Sequence, residues 1–450
     1  MKKNDSLTLE IVDLTAEGSG VGRAEDSMTV FVPRTAVGDR VRVHIIKVKK
    51  NYAVGKVESV ERPSEHRVQV DCAQFHSCGG CLYRHLDYAE ECRLKQQQVE
   101  NAIRRIGGVD LAANPIVAAN TERYRNKAQF PISSNGKSGF FAAHSHRIIP
   151  CEDCLLQPEA FSRAAKAVED WIVQEGISVY DEGTHKGLVR HLYLRAAKAT
   201  GEWMVVLVLN GKTAPKEQDL VARLRAALGE GLKSVQVNVN TKKTNVVLGK
   251  ENRVLYGQSS ITDVLCGVQL RISPLSFYQV NRDMAERLYE KAAEYACPDG
   301  KEVLDLYCGI GSIGLSMAKK AKQVIGVEIV EAAVRDAREN AALNGFENTR
   351  FLCATATEAA VQLAREGIRP EVVVVDPPRK GCDAELLKTV AEEFCPERLV
   401  YVSCDPATLA RDVAVLSTLG YELKEYTPFD LFPRTGHVET VALLKRFGTE

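Results

Sequence analysis

From about Pro274 onward the chain repeats one pattern: a short apolar run, a turn, then a helical stretch. The runs are EVLDLY, QVIGVE, VVVVD and LVYVS. Runs this short and this apolar are strands buried on both faces, and helices between successive strands make the sheet parallel. The pattern predicts an α/β unit, a parallel sheet with helices on both faces. It also says where to look for chemistry, because ligands of an open parallel sheet bind outside the carboxyl ends of its strands. Those ends lead into a glycine-rich loop at Cys308, into Asp376 with two prolines, and into Cys404 followed by Asp405-Pro406.

The loop CGIGSIG, Cys308 to Gly314, fits G-x-G-x-x-G at Gly309, Gly311 and Gly314. The next strand ends in Glu328, at the spacing expected for an acid on ribose hydroxyls. Such a loop suits NAD or S-adenosylmethionine. Asp305, inside the preceding strand, favours the second, since an anion there suits the amino-acid end of S-adenosylmethionine better than a pyrophosphate. The loop also lies late in the chain, with only about 140 residues after it.

DPPRKG, from Asp376, is similar to the D/N-P-P-Y/F motif of amino methyltransferases, but Arg379 stands where the base-stacking aromatic belongs. Methylation of an amino nitrogen is therefore disfavoured, and the plainer reading is a proline-stiffened turn. Cys404 has a plain reading too, as free cysteine is among the most buried residue types. Its place at a strand end beside a cofactor rim points instead to a nucleophile. Carbon 5 of uracil is a poor nucleophile. A thiolate added to carbon 6 makes an enolate, and carbon 5 can then attack a methyl group. A base must next remove the carbon-5 proton before the thiol leaves. The C-terminal stretch reads as strands near Glu422–Tyr426 and Val438–Lys445 with a long connection. A last strand running antiparallel starts at the same rim, so His437 and Glu439 are the candidate bases.

Upstream, residues 6–60 read as short alternating strands with Gly-rich turns, a five-stranded barrel of the OB type. From Arg40 to Val57 there is no acid, while Arg40, Arg42, Lys47, Lys49, Lys50 and Lys56 are basic, which suggests RNA binding. The net charge of zero adds nothing to that. A helical stretch, Ala89 to Ile106, precedes a mixed α+β region. There ERYRNKAQFPI alternates Arg123, Arg125 and Lys127 with Tyr124 and Asn126, with Phe130 near, suiting phosphate contact and base stacking. The expected domains are 1–62, 63–270 and 271–450. No long apolar run could span a bilayer and MKKNDSLTLE lacks an apolar signal core, so the expectation is a cytoplasmic protein with no membrane partner; a monomer is expected as well. The 13 cysteines are odd in number and scattered, which argues against a disulfide framework. Five of them, Cys72, Cys78, Cys81, Cys151 and Cys154, form two close groups that suggest a metal. Zinc suits paired C-x-x-C units, and an iron–sulfur cluster also fits the spacing.

Together LDLYCGIGSIGL, VVVVDPPRKG, YVSCDPATLARD, HVET and SFYQVN resemble the RNA uracil-C5 methyltransferase family over nearly the whole chain. The resemblance implies a Rossmann-like S-adenosylmethionine methyltransferase domain, a central α+β domain with an iron–sulfur cluster, and an N-terminal TRAM barrel of the OB type. It implies Cys404 as nucleophile and Glu439 as base. Gln279, Tyr307, Glu328 and Asp376 line the cofactor and uracil site, with Ser312 and Thr355 at further cofactor positions. It decides for a [4Fe-4S] cluster on Cys72, Cys78, Cys81 and Cys154, with Cys154 preferred to Cys151 because LLQP follows it. The barrel favours 23S ribosomal RNA as partner. A tRNA uridine, or a non-catalytic RNA-binding assembly role, is the alternative.

Overall fold

The computed structural model describes residues 1–448. Strands Ser6–Leu14, Ser19–Arg23, Thr29–Pro33, Arg40–Val48 and Tyr52–Arg62 close into a barrel, as the alternating pattern predicts. Alternation puts Leu9, Ile11, Val30, Val32, Val41, Val43 and Ile45 inside it. Gly55 lets its own strand, Tyr52–Arg62, lie close on Arg40–Val48, since a Cβ there would sit 2.1 Å from Val43 Cγ1. The basic stripe is weaker than its sequence suggests. Arg40 pairs with Glu61 and Arg42 with Glu58, each at 3.3 Å, because Tyr52–Arg62 lies beside that strand. Lys47, Lys49, Lys50 and Lys56 remain exposed.

The central sheet has the order Glu251–Gly257, Leu232–Val239, Glu202–Leu209, Val189–Ala197, Lys127–Pro131. One face packs Leu192, Val205 and Leu207 against helices Glu159–Gln174 and Glu217–Leu228. The other face turns Tyr193, Met204 and Val206 toward the hairpin Ile261–Leu265/Val268–Ile272 and helix Arg282–Ala296. That hairpin straddles residue 270, and it shares its core with the C-terminal sheet. Helix Tyr88–Arg105 precedes the central sheet in sequence, yet its Val99 and Ile103 pack with Leu409 and Val413 of helix Pro406–Thr418.

The C-terminal sheet has seven strands, in the order Thr349–Cys353, Gln323–Glu328, Glu302–Leu306, Val372–Val375, Arg398–Ser403, Glu439–Arg446, Tyr421–Phe429. The first five run parallel, and Glu439–Arg446 runs antiparallel to both its neighbours. The register sets Ser403 opposite Thr440, so Cys404 and Glu439 follow as the next step at one rim.

The connection before that last strand is pinned from beneath. Lys95, 1 % exposed, donates to Glu91 at 2.8 Å, to Asp430 at 2.7 Å and to the Phe432 carbonyl at 3.2 Å. The Arg434 N–H donates to Glu91 at 2.6 Å. Removing one partner from a buried ion cluster costs about 3–5 kcal/mol, so this clasp holds the connection firmly. Among the described residues no helix is long and apolar enough to cross a membrane.

Candidate active site

The glycine loop follows strand Glu302–Leu306 through a tight left-handed turn. Tyr307 has φ +67°, which is unusual for a residue with a side chain, and Gly309 and Gly311 follow at +57° and +83°. Gly311 opens helix Ser312–Met317. Asp305 is fully buried; its Oδ2 accepts the Gly314 N–H at 2.8 Å and holds the loop from below, while its Oδ1 is buried without a protein partner. Burial pushes its carboxyl up to about 7. Glu328 accepts from the Gly309 N–H at 3.1 Å and the Val330 N–H at 2.8 Å, which ties the acid to the loop.

A cavity of about 920 Å³ opens above these strand ends. One side is lined by Tyr307, Gly309, Glu328, Ile329 and Thr355. The other is lined by Asp376, Arg379, Cys404, Phe432, His437 and Glu439, with Gln279 also on the wall. Every expected cofactor and catalytic position except Ser312 lines this one space. The Ser312 hydroxyl lies 3.2 Å from the Tyr289 hydroxyl, off the cavity wall. Thr355 caps helix Ala356–Arg365 in a reciprocal box with Glu358.

The electrostatics follow from burial. Glu439 is 5 % exposed, and burial, then Asp376 nearby, pushes its carboxyl up to about 8 against the pull of Arg379. Burial likewise lifts Asp376 to about 7. The Cys404 thiol rises to about 11 through burial, then through Glu439 and Asp376, with Arg379 again opposing. Arg379 is the cation common to Cys404 and Glu439. In sequence it looked only like a departure from an aromatic position. Its Nη2 donates to the His437 ring at 3.1 Å, and burial and the Arg379 charge lower the His437 pKa and favour the neutral ring. Phe432, packed edge-on against His437, gave no signal in the sequence because it sits in an irregular connection.

The stretch ERYRNKAQFPI divides. Arg125 and Lys127 line the cavity, and burial with neighbouring Arg195 and Arg125 lowers Lys127 to about 8. Arg123 instead pairs with Asp153 at 2.7 Å, the Tyr124 hydroxyl donates to the Pro433 carbonyl at 2.9 Å, and Phe130 is buried. Neither aromatic is free to stack on a base, which corrects the expectation drawn from their spacing.

The thiols of Cys72, Cys78, Cys81, Cys151 and Cys154 gather from two segments far apart in sequence. Burial raises Cys78, and burial followed by the charge of Cys154 lifts Cys81 to about 12. Cys154 goes the other way, to about 7. The Cys151 thiol donates to it, and the N–H groups of Leu156 and Gln157 support its anion, while Cys151 itself is raised. Among the described residues, however, no group of three or more His, Cys, Asp or Glu side chains is closed around a point that could hold an ion. The expected set of Cys72, Cys78, Cys81 and Cys154 is assembled as a neighbourhood, not as a coordination shell.

Comparison with known proteins agrees with this geometry. Residues 87–447 match the family model for tRNA (uracil-5-)-methyltransferases, and residues 2–57 match the TRAM domain. An RNA methyltransferase of Clostridium tetani is 44 % identical over 453 aligned residues, covering 100 % of this chain and 98 % of the relative. One of Halalkalibacterium halodurans is 43 % identical over 451 aligned residues, covering 99 % and 98 %. Among solved structures, the tRNA (uracil-54, C5)-methyltransferase of Pyrococcus abyssi, in complex with S-adenosyl-L-homocysteine, superposes with a TM-score of 0.79. It is 28 % identical, and the match covers 97 % of this chain and 99 % of that one. With its TRAM barrel, its glycine loop and a thiol and a carboxylate facing one cavity, the chain belongs to the tRNA (uracil-5-)-methyltransferase family of S-adenosylmethionine-dependent RNA methyltransferases.

Proposed function

We propose that the protein methylates carbon 5 of a uridine in 23S ribosomal RNA, as a cytoplasmic monomer, through a covalent adduct on Cys404. The Cys404 thiolate adds to carbon 6 of the uracil, and the electron pair moves to carbon 5. Carbon 5 takes the methyl group, with S-adenosylhomocysteine as the leaving product. Glu439 then removes the carbon-5 proton, the carbon–sulfur bond breaks, and 5-methyluridine and a free thiolate remain. Tyr307, Glu328 and Thr355 contact the methyl donor, and Gln279 and Asp376 lie between donor and uracil. The observation that carries this reading is the single cavity lined by the glycine loop, Asp376, Cys404 and Glu439. Glu439 is preferred to His437 as base because the histidine ring already accepts from Arg379.

Ribosomal RNA is preferred because a TRAM barrel precedes the catalytic unit. A tRNA uridine is the second reading, and one observation favours it. The Pyrococcus match covers 97 % of this chain, which leaves too little unmatched to omit the barrel, so a barrel is compatible with a tRNA enzyme. The test is to incubate unmodified 23S rRNA and tRNA transcripts with protein and S-adenosylmethionine, then map 5-methyluridine by mass spectrometry. The expected result is one or a few methylated uridines in the rRNA and none in the tRNA. The reverse result replaces the first reading with the second.

For the cysteine group we propose a [4Fe-4S] cluster held by Cys72, Cys78, Cys81 and Cys154, with Cys151 as hydrogen-bond donor to Cys154. The cluster would join the segment at residues 72–81 to the loop at 151–154. Protein purified without air is expected to contain about four iron and four sulfide per chain. One zinc per chain and no sulfide would overturn the assignment.

A further inference from the structure

A second groove, of about 460 Å³, opens off the catalytic cavity and shares Arg125, Arg379, Cys404 and His437 with it. Its outer walls come from three distant segments: Ala16 and Glu17 of the barrel, Gly79 and Gly80 of the cysteine segment, and Gln98 of helix Tyr88–Arg105. These walls are fastened together. A Cβ on Gly436 would lie 2.4 Å from the Ala16 carbonyl, and the Leu82 N–H donates to the Arg434 carbonyl at 2.7 Å. The groove is therefore a built feature of the fold.

Its lining is selective. No Phe, Tyr or Trp lines it, and its one imidazole, His437, is engaged by Arg379. It offers instead glycine backbone, the Thr435 hydroxyl, the Gln98 amide and two guanidinium groups. Arg125 Nε is buried without a hydrogen-bond partner. Neither Arg125 nor Arg379 pairs with a carboxylate among the described residues. Of the two acids on the wall, Asp405 is already engaged by the N–H groups of Ala407 and Thr408 at 2.9 and 3.0 Å, and Glu17 is exposed. Two cations with no carboxylate partner, Arg379 on the His437 ring and Arg125 over the Tyr124 ring, suit an anion carried on a sugar. A strand whose base enters the catalytic cavity must also run its backbone out of it, and the shared wall is a passage of that kind.

We infer that this groove holds the sugar-phosphate of a nucleotide adjoining the target uridine, with its phosphate between Arg125 and Arg379. The inference rests on the reading of the protein as an RNA uridine methyltransferase. It makes the barrel turn and the cysteine segment part of the RNA seat at the reaction centre.

The test changes charge at Gln98, which lines the groove and takes no part in the chemistry. Gln98→Lys and Gln98→Glu are compared with the parent for binding to whichever transcript the parent methylates, by filter binding over a range of salt. Affinity for S-adenosylmethionine and the melting temperature are followed alongside. Gln98→Lys is expected to tighten RNA binding about threefold to tenfold and steepen the salt dependence, and Gln98→Glu to weaken it by a similar factor. S-adenosylmethionine affinity stays unchanged in both. Shifts in the same direction, or none, with a parent that methylates RNA would overturn the groove as a phosphate seat. A parent that methylates neither transcript would remove the functional reading itself, and the groove assignment with it.

Discussion

The Cys404→Ala variant is expected to transfer methyl groups at least about 10⁴-fold more slowly than the parent while binding RNA and S-adenosylmethionine as before. Without the thiolate, carbon 5 of uracil has no enolate to draw on, and among the described residues Cys404 is the one thiol lining the cavity. A covalent trap reads the same step directly. RNA containing 5-fluorouridine, mixed with parent protein and S-adenosylmethionine, stops after methyl transfer because fluorine cannot leave as a cation. A band stable to denaturation forms with the parent and is absent with the variant. A trapped band in Cys404→Ala would move the nucleophile elsewhere and end the assignment. Because the Cys404 thiol is raised to about 11, its thiolate fraction grows with pH through the neutral range. The parent's kcat/KM should therefore climb about tenfold per pH unit between 6 and 7.

Glu439→Gln is expected to lower kcat by about 10²–10⁴-fold at a different point, after methyl transfer. The variant forms the adduct and transfers the methyl group, then stalls with the carbon-5 proton in place. Methylated RNA attached to protein should accumulate on natural uridine, with no fluorine needed. Rapid turnover would pass the base role to His437. The same variant has an opposite effect on stability. Folded Glu439 titrates near 8, against about 4.3 in an unfolded chain. The folded state therefore holds a proton that the unfolded chain gives up. That contribution to stability is complete below about pH 4.3 and is lost as pH rises through 8. Glutamine carries no such penalty. Glu439→Gln should be more stable than the parent by about 2–4 kcal/mol at pH 8.5 and nearly equal to it at pH 4.5, as read from urea melts. A lower stability at pH 8.5 would show that the amide, not the buried charge, is the misfit.

Cys404, Asp376 and Glu439 were legible because each sits where a strand begins or ends, and a parallel sheet brings strand ends to one rim. The antiparallel last strand completes that logic. What the sequence hid were choices made by distant partners. Asp305 reads the same whether it faces a ligand or the Gly314 N–H. Tyr124 looks like a stacking residue until its hydroxyl meets the Pro433 carbonyl, and Arg40 and Arg42 look free until Glu61 and Glu58 arrive on a neighbouring strand. Helix Tyr88–Arg105 shows the same limit: its apolar stripe is visible, but not that its stripe belongs to the core of the C-terminal sheet. The two arginines of the groove were seen singly, never as a pair.

The strand order has a bearing on biosynthesis. Glu439–Arg446 is made after Tyr421–Phe429, yet it lies between that strand and Arg398–Ser403. A growing chain thus carries Cys404 and Asp376 for some time before Glu439 is made. The last strand, once made, pairs with Tyr421–Phe429 on one side and with Arg398–Ser403 on the other. Until it does, Tyr421–Phe429 has no strand to join it to the sheet. The placement of one strand thus completes both the sheet and the meeting of Cys404 with Glu439 at its rim.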